Sequence, residues 1–368
     1  MSAAPWLPAL QDLPAAPRPP LVFSGVAAIE RDWKRLQYAA RPANPFLSWE
    51  WQSAWAALDP RGARPLVLAE TFPDGSLAGL LALQRRRRHG LAQLELLGQG
   101  AGGDELDCLL HPAAPPELAP RLLALALARP GWSLLRLESV RAAGALAAAL
   151  APAGAAAEPG EWLPYLSLPS SFEALLAAHS PNFRSEVRRR RRAFARLAPD
   201  SVVECAETPA AVGTALTHLF RLHNLRRAHL RGRGLFSSSV LRDFHRRAAL
   251  QLAAAGAARI YLLRTPAAVI AALYGFAAGA SPAARFHYFQ SGFDPAWTAA
   301  SPGTVLLSAV IEDCIARGLA AFEFLRGEEP YKHRWTTLRR RSQSWNLARG
   351  PLGRAFLELR RWRARLRT

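Results

Sequence analysis

The residues best suited to chemistry lie in the last quarter of the chain, where a short turn leads into a helix. Ser301, Pro302, Gly303 and Thr304 open an amphipathic stretch that predicts a helix from Thr304 to Arg317. A glycine-containing turn at a helix N-terminus presents free backbone N–H groups and the positive end of the helix dipole, which suits an anion such as a pyrophosphate. Because most turns of this composition are only turns, the motif needs support from its surroundings.

Two groups of side chains give that support. A predicted strand that carries Phe286, Tyr288 and Phe289 precedes the turn. A second group follows the next predicted strand, at the carboxyl end where ligands gather in open α/β sheets. Taken singly, its aromatic residues are typical of a core and its lysine of a solvated charge, so their combination and order favour a site. The members of this second group are Glu323, Arg326, Gly327, Glu328, Glu329, Tyr331, Lys332 and Trp335.

The hydrophobic patterns predict that a mixed α/β sheet positions these residues. Over the second half they predict, in order, a strand, a helix, a strand, two helices, three strands, a helix and a last strand. Helices interleaved with a strand meander imply a mixed sheet rather than a regular βαβ array. The predicted ranges are 164–168, 170–192, 202–206, 208–225, 241–255, 259–264, 269–277, 285–292, 304–317 and 320–325.

The first half carries a shorter version of the same pattern. A helix is predicted first, then a hairpin around Asp74-Gly75, and then a strand, a helix and a strand. The ranges are 46–58, 65–70, 77–84, 91–97, 116–128 and 133–138. We therefore predict two tandem α/β units with flanking segments. The divisions are a flexible N-terminal arm at 1–20, an N-terminal unit at 21–160, a C-terminal unit at 161–348 and a basic amphipathic helix at 349–368.

Composition limits the partners and the compartment. The net charge of +19 favours anionic partners, although only Lys34 and Lys332 are lysines among the 47 basic residues. No nucleic-acid-binding module is recognisable, so nucleic acid is not an expected partner. The three cysteines form neither a disulfide framework nor a metal-ligand pattern, so we predict no metal and a reducing, cytoplasmic compartment. No secretory signal or membrane-spanning run is recognisable.

Two arginine-rich segments leave alternatives open. Phe356, Leu359, Trp362 and Leu366 lie at helical spacing among the arginines of residues 354–367. Such a helix either packs on the body of the protein or binds an anionic membrane surface, which would place the chain peripherally at the inner membrane. The run Arg188–Arg192 covers every face of a helix, so we expect some of it to be solvated. The alternative for this run is that it holds an anionic acceptor, lipid headgroups or nucleic acid.

The segment from Arg285 to Trp335 resembles one group of transferases. The patterns F-x-Y-F-x-S-G-F-D-P-A-W, S-P-G-x-x-L-L and F-E-F-L-R-G-E-E-P-Y-K-x-R-W resemble the CelD-like, cellulose-biosynthesis branch of the GNAT-superfamily acyltransferases. That branch is similar to the Fem-type peptidoglycan aminoacyltransferases. The stretch P-F-L-S-W-E-W-x-x-A-W at Pro45–Trp55 is also similar to the opening helix of the branch. The resemblance is specific only over the last quarter of the chain, and Glu323 stands where the family usually has an aspartate.

The resemblance implies a role for each residue of the segment. The turn Ser301, Pro302, Gly303 and Thr304 corresponds to the turn that binds the pyrophosphate of acyl-CoA, here expected to be acetyl-CoA. The strand residues Tyr288, Gln290 and Ser291 correspond to the strand beside the pantetheine arm. Glu323 is implied as the general base or as the group that orients the acceptor. Tyr331 is implied as the general acid for the leaving thiolate, and Lys332 as a phosphate or acceptor contact. The expected acceptor contacts are Gln290, Glu328 and Trp335.

The function predicted from this resemblance is transfer of an acyl group, most simply acetyl, from acyl-CoA to an amine or hydroxyl. The expected acceptor is a polysaccharide, a lipid-linked sugar or a small metabolite. Two alternatives stay open. One is a Fem-like transferase that uses aminoacyl-tRNA. The other is a catalytically silent GNAT-like scaffold within a polysaccharide-synthesis complex.

Overall fold

A computed structural model of the chain describes residues 19–58, 62–230, 232 and 234–365. The arm predicted over residues 1–20 lies outside these residues except for its last two positions. The first half contains strands β1 to β7, helices α1 to α4, and two short 3₁₀ turns before α1 and α2. Their bounds are β1 Leu21–Phe23, α1 Glu30–Ala40, α2 Trp49–Leu58, β2 Arg64–Thr71, β3 Leu77–Arg88, β4 Leu91–Leu96, β5 Leu109–Leu110, α3 Leu118–Ala128, β6 Leu134–Val140, α4 Ala145–Leu150 and β7 Ala156–Ser167.

The second half begins with two helices and then repeats the order of the first. Ser180 caps α6 by accepting a hydrogen bond from the Phe183 backbone N–H, and Pro181 occupies its first turn, which separates α5 from α6. The bounds are α5 Phe172–Ala177, α6 Pro181–Leu197, β8 Val202–Ala206, α7 Pro209–His229, α8 Ser239–Ala254, β9 Ala258–Arg264, β10 Val269–Ala278, β11 Arg285–Phe293, α9 Pro302–Ala316, β12 Ala321–Glu323, α10 Pro330–Trp335, β13 Arg339–Ala348 and α11 Gly350–Arg365.

The strands form one mixed sheet whose order is symmetric about its centre. The order is β1-β2-β3-β4-β6-β13-β7-β12-β11-β10-β9-β8, with β5 paired to β3 at the side. Apart from β5, each strand of the first half has its counterpart at the mirrored position in the second half, β1 with β8 through β7 with β13. The mixed α/β sheet is therefore confirmed, and the chain contains two related units in tandem.

The two units exchange their last strands. The end of β7 (Tyr165–Ser167) pairs antiparallel with β12 of the second unit. In return β13 pairs antiparallel with β6 of the first unit, and β7 and β13 pair with each other. The boundary that we predict between residues 160 and 161 falls inside β7, a strand that belongs to both units. Neither β13 nor α10 is among the elements predicted from the sequence.

Strand β10 lies between two layers of the hydrophobic core. Its residues are buried almost throughout, as expected for a strand covered on both faces. Val269, Ala272 and Phe276 pack in a core shared with α7, α8 and the first unit. Ile270 and Leu273 pack with α5, α6 and α9. The second-unit sheet is therefore a wall between the inter-unit core and a smaller core that belongs to the second unit.

Helix α7 approaches the sheet closely at Gly292 of β11. A Cβ atom at this position would lie 2.2 Å from the backbone nitrogen of His223 in α7. Only glycine permits this spacing, because backbone atoms cannot give way as a flexible side chain can. The contact holds the C-terminal half of β11 against α7 on one face of the sheet.

A histidine without hydrogen-bond partners makes the core between the units sensitive to acid. His245 is fully buried against aromatic rings that include Trp51, Phe244 and Phe289, and neither of its ring nitrogens has a hydrogen-bond partner among the described residues. Burial, with a smaller contribution from the neighbouring His223, lowers its pKa to about 3. The unfolded chain therefore binds a proton below pH ~6.5 that the folded chain binds only near pH ~3.

We predict that the free energy of unfolding falls with pH below ~6.5, by at most about 1.4 kcal/mol per pH unit from His245. His245→Phe should reduce this slope between pH 6.5 and pH 4 without destabilising the protein at pH 7. Urea denaturation across this pH range measures the slope. The control is His333→Phe, at an exposed position of α10. Equal slopes for wild type and His245→Phe would contradict the prediction.

Candidate active site

The site begins where β11 and β12 stop pairing. The two parallel strands pair only over Arg285–His287 and Ala321–Glu323. Beyond Glu323 the chain turns away, with Leu325 and Gly327 in the left-handed region at φ of 57° and 112°. Strand β11 continues to Phe293, and no described strand pairs with it on this side beyond His287. The parting of the strands leaves a backbone edge of β11 unpaired and opens a cleft in the sheet.

A bulge in β11 determines which side chains face this cleft. The register with β10 skips Phe289, since Tyr274 pairs with Gln290 and Gly275 pairs with Tyr288. An extra residue reverses the alternation of the strand locally. Tyr288 and Ser291 therefore share one face, and the Tyr288 hydroxyl lies 2.5 Å from Ser291 Oγ. Phe289 points to the opposite face and packs against Trp51 of the first unit.

The cleft encloses a cavity of about 240 Å³. Its walls come from β10, β11, the first turn of α9, one face of α6, the end of α7, and α10. All the lining residues belong to the second unit. They are Phe183, Glu186, Val187, Arg190, Arg226, Ala271–Leu273, Tyr288, Ser291–Phe293, Thr298, Ser301–Thr304, Leu306, Leu307, Tyr331, Arg334 and Trp335.

The first turn of α9 forms one end of the cavity. Ser301 lies in the left-handed region at φ 55°, and its carbonyl accepts the first hydrogen bonds of the helix, from Thr304 and Val305. The guanidinium of Arg190 in α6 donates a hydrogen bond to Ser301 Oγ. A helix N-terminus with a fixed cation beside it is an anion site in chemical terms, because N–H groups, helix dipole and positive charge act together.

The cavity is positively charged around this helix end. Arg190, Arg226 and Arg334 all line it, and the carboxylate among the described lining residues belongs to Glu186. Glu186 binds both Arg190 and Arg334. Burial opposes the charge of Glu186, but these hydrogen bonds outweigh it and lower the pKa of the carboxyl. Glu186 is therefore a charged group that fixes two guanidinium groups in place.

Two tyrosines lie at the other side of the cavity. Tyr331 in α10 donates a hydrogen bond to the Tyr288 hydroxyl over 3.3 Å. Burial raises the pKa of both phenols above their ordinary value. Both hydroxyls therefore stay protonated at neutral pH, and the chain Tyr331–Tyr288–Ser291 can supply a proton to a group in the cavity.

The structure brings together most of the residues that the sequence proposes for donor binding, with Tyr331, the proposed acid, and Trp335, a proposed acceptor contact. Tyr288, Ser291, Tyr331 and Trp335 line the cavity, as does the whole turn Ser301–Thr304. Gln290 does not line it, because the bulge changes the alternation of β11. The remaining roles stay predictions, but three more of the proposed residues, Glu323, Glu328 and Lys332, also lie outside the cavity.

Glu323, proposed above as the base, lies outside the cavity in a network of charges. Its two carboxylate oxygens accept hydrogen bonds from Arg285 over 2.7 Å and from Arg340 over 2.6 Å. Arg340 also binds Glu105 of the first unit. Since the carboxylate is buried and both its oxygens are engaged, we do not assign the base to Glu323.

Lys332 and Glu328 also lie outside the cavity, and each pairs with another charged side chain. The ammonium of Lys332 is buried, donates to the Arg326 carbonyl over 2.7 Å and pairs with Glu329. Burial lowers the pKa of Lys332, against the opposing effect of Glu329. This lysine holds the turn after β12 and does not line the cavity. Glu328 forms an exposed ion pair with Arg339.

The three arginines of the cavity are not among the site residues predicted from the sequence. Arg190 belongs to a run for which anion binding is only the alternative to solvation, and Arg226 and Arg334 carry no local signal. One pattern does point to α6: Phe183, Val187, Arg190 and Phe194 follow helical spacing and share one face. A single arginine among apolar residues on a packed face differs from its solvated neighbours.

Comparison with known proteins agrees with this geometry. Residues 181–333 match the family model for an acetyltransferase (GNAT) domain. No curated protein matches the chain significantly. Among solved structures, FemX aligns at a TM-score of 0.62 and 10% identity, over 89% of this chain and 98% of its own. The second unit is therefore similar to a GNAT-type acetyltransferase domain over residues 181–333, and the fold is similar to that of FemX over both units.

Two further structures align over most of their length. The C-terminal domain of a putative lysylphosphatidylglycerol synthetase from Agrobacterium fabrum has a TM-score of 0.54 and 11% identity, over 89% of this chain and 95% of its own. The L-PGS structure from Bacillus licheniformis has a TM-score of 0.55 and 10% identity, over 86% and 90%. At such identities the likeness concerns the fold alone. The CelD-like branch stays a prediction.

The described residues contain no cluster of His, Cys, Asp and Glu side chains that could hold a metal ion. Among the helices in this part of the chain, none is both long and apolar enough to cross a bilayer.

We predict that Glu323 serves stability. Glu323→Gln should lower the free energy of unfolding by about 3 kcal/mol, because it removes the charge that two arginines share in a buried setting. Glu328→Gln, which breaks an exposed pair of the same type, should change it by less than about 1 kcal/mol. Urea denaturation of both variants tests the contrast. A Glu323→Gln protein as stable as wild type would contradict it.

Proposed function

We propose that the chain transfers an acyl group from acyl-CoA to an amine or hydroxyl acceptor, within the cleft between β11 and β12. The observation that carries this proposal is the parting of these strands beside the first turn of α9. The unpaired edge of β11 offers backbone hydrogen bonds to an extended amide-containing arm. The helix end with Arg190 offers a site for phosphates at one end of the same cavity.

The reaction that fits this cavity is direct attack on the thioester. The acceptor nitrogen or oxygen forms a bond to the thioester carbonyl carbon and gives a tetrahedral intermediate. The C–S bond then breaks, and the electron pair leaves with the sulfur as a thiolate. Because the acceptor itself attacks, no covalent bond to the protein is needed. The cysteines support this view, since Cys108 and Cys314 are buried and burial raises the pKa of each thiol.

The proton for the thiolate comes, in this proposal, from Tyr331. Its side chain is protonated and lies on the wall of the cavity formed by α10. The Tyr331 O–H donates to Tyr288 in the free protein. It turns to the sulfur in the reaction, and the phenolate then regains a proton from water. The acceptor gives up its proton to water, because Glu186 is already bound to two arginines and its lowered pKa makes it a weak base.

The identity of the two substrates is a further part of the proposal. Acetyl is the simplest acyl group for a cavity of about 240 Å³ that also takes part of the donor. The acceptor that we propose is a polysaccharide, a lipid-linked sugar or a small metabolite. These classes rest on the resemblance of Arg285–Trp335 to the CelD-like branch.

A second candidate is Fem-like transfer from aminoacyl-tRNA. The whole-chain likeness to FemX favours it, because that alignment covers both units and not only the second. The basic composition also suits an RNA donor. The same cleft and the same tyrosines would serve this reaction, since an ester carbonyl is attacked in place of a thioester. The donor is thus the point that an experiment must decide.

We predict that Arg190→Gln weakens CoA binding about tenfold, or about 1.4 kcal/mol. The cation beside the α9 N-terminus is lost, while the helix itself remains. Arg189→Gln removes the same charge from an exposed position one residue away and should change the affinity less than about twofold. Isothermal titration with CoA and with acetyl-CoA measures both. Absence of CoA binding to wild type would reject the first candidate, and binding of aminoacyl-tRNA in its place would establish the second.

We predict that Tyr331→Phe lowers kcat about 10- to 100-fold and leaves the free energy of unfolding nearly unchanged. The phenyl ring keeps the packing, and only the proton donor is lost. Thiol release from acetyl-CoA with a panel of amine and hydroxyl acceptors measures the rate. Tyr38→Phe, at an exposed site in α1, is the matched control. Wild-type turnover in a folded Tyr331→Phe protein would exclude Tyr331 as the acid.

A further inference from the structure

The C-terminal helix α11 has two apolar faces, and only one of them is used. Its inner face packs on the first unit, where a Cβ at Gly353 would lie 2.1 Å from the Ser133 carbonyl and where Leu357 is buried. Arg360 fixes the same face by binding Glu158 of β7 over 3.0 Å. The helix therefore needs no further contact to keep its position.

The outer face of α11 is apolar and open. Leu352 is 70% exposed, Leu359 45% and Trp362 57%, and the small Ala355 lies between them. At 100° per residue these four positions fall within about 80° of one another, on the side away from Gly353 and Leu357. We call Leu352, Ala355, Leu359 and Trp362 the outer face. Large exposed apolar groups in such a row indicate a binding surface more often than chance.

Positive charge surrounds this face. The helix contains five arginines and one glutamate. Arg354 and Arg363 are exposed on it. The tip of the β3–β4 hairpin adds Arg87 and Arg88, also exposed, because His89 stacks on Phe356 of α11 with ring centroids 6.0 Å apart. The outer face is thus an apolar strip bordered by cations from two elements.

We infer that the outer face of α11 and the hairpin tip seat the protein on an anionic lipid bilayer. A leucine and tryptophan strip enters the headgroup region, while arginines on both sides bind anionic headgroups. The positive charge favours an anionic bilayer over a partner protein, because binding to an apolar groove on a protein does not require so many flanking cations. The inference does not depend on the proposed acyl transfer, because α11 lies outside the cavity.

Vesicle flotation of the full chain tests this docking. Wild type should float with vesicles of phosphatidylcholine mixed with phosphatidylglycerol, much less with phosphatidylcholine alone, and less as salt is raised. The triple variant Leu352→Ser, Leu359→Ser, Trp362→Ser keeps every charge but should bind the anionic vesicles at least about tenfold more weakly, because it removes the apolar strip. The comparison of this variant with wild type distinguishes membrane binding through the outer face from non-specific electrostatic binding by a chain with a net charge of +19.

The matched control is the pair Tyr38→Ser and Leu197→Ser, which removes exposed apolar side chains elsewhere, 75% and 62% exposed respectively. It should bind vesicles as wild type does. Thermal unfolding verifies that both variants are folded. The inference is overturned if wild type does not bind anionic vesicles, or if the triple variant binds as wild type does. It is equally overturned if the outer face instead joins two copies of the chain in solution, a dimer that the triple variant would lose.

Discussion

The antiparallel pairing of β7 with β13 is the constraint on which the rest of the molecule depends. Each of these strands leaves its own unit and pairs with the preceding strand of the other. Without the exchange, β6 and β12 would both be exposed sheet edges, which proteins normally cover. With it, a single sheet runs through both units. The position of α10, between β12 and β13 in the chain, is thereby determined by both units.

The cavity follows from two local irregularities within this regular frame. Leu325 in a left-handed conformation turns the chain away from β11, at a cost that surrounding contacts must offset. The bulge at Phe289 then sends one aromatic residue toward the first unit and brings Tyr288 and Ser291 into the cleft. The geometry that we connect with chemistry is therefore produced where the sheet departs from ideal pairing.

The sequence predicts local features of this arrangement and misses those that depend on distant contacts. Local sequence is enough to predict the turn before α9, the aromatic strand and Tyr331, because their neighbours in the chain define them. Strand β13 is not, since its arginine-rich sequence lacks the alternation of a half-buried strand. Its absence from the prediction explains the role given to Glu323. A strand-end carboxylate suggests a base until Arg340, supplied by β13, is known to bind it.

The first unit contributes to the site although none of its described side chains lines the cavity. Asp104, fully buried in its loop, accepts hydrogen bonds from the backbone N–H and the guanidinium of Arg326. Burial raises the pKa of Asp104, against the effect of Arg326. From the other side, Lys332 binds the Arg326 carbonyl. The turn that opens the cleft is thus held from both units, because the Gly103 carbonyl and the Ser139 hydroxyl of the first unit also bind Arg326. The first unit therefore acts as the support that keeps β11 and β12 apart, and a lone second unit would lose both the exchanged strand and this anchor.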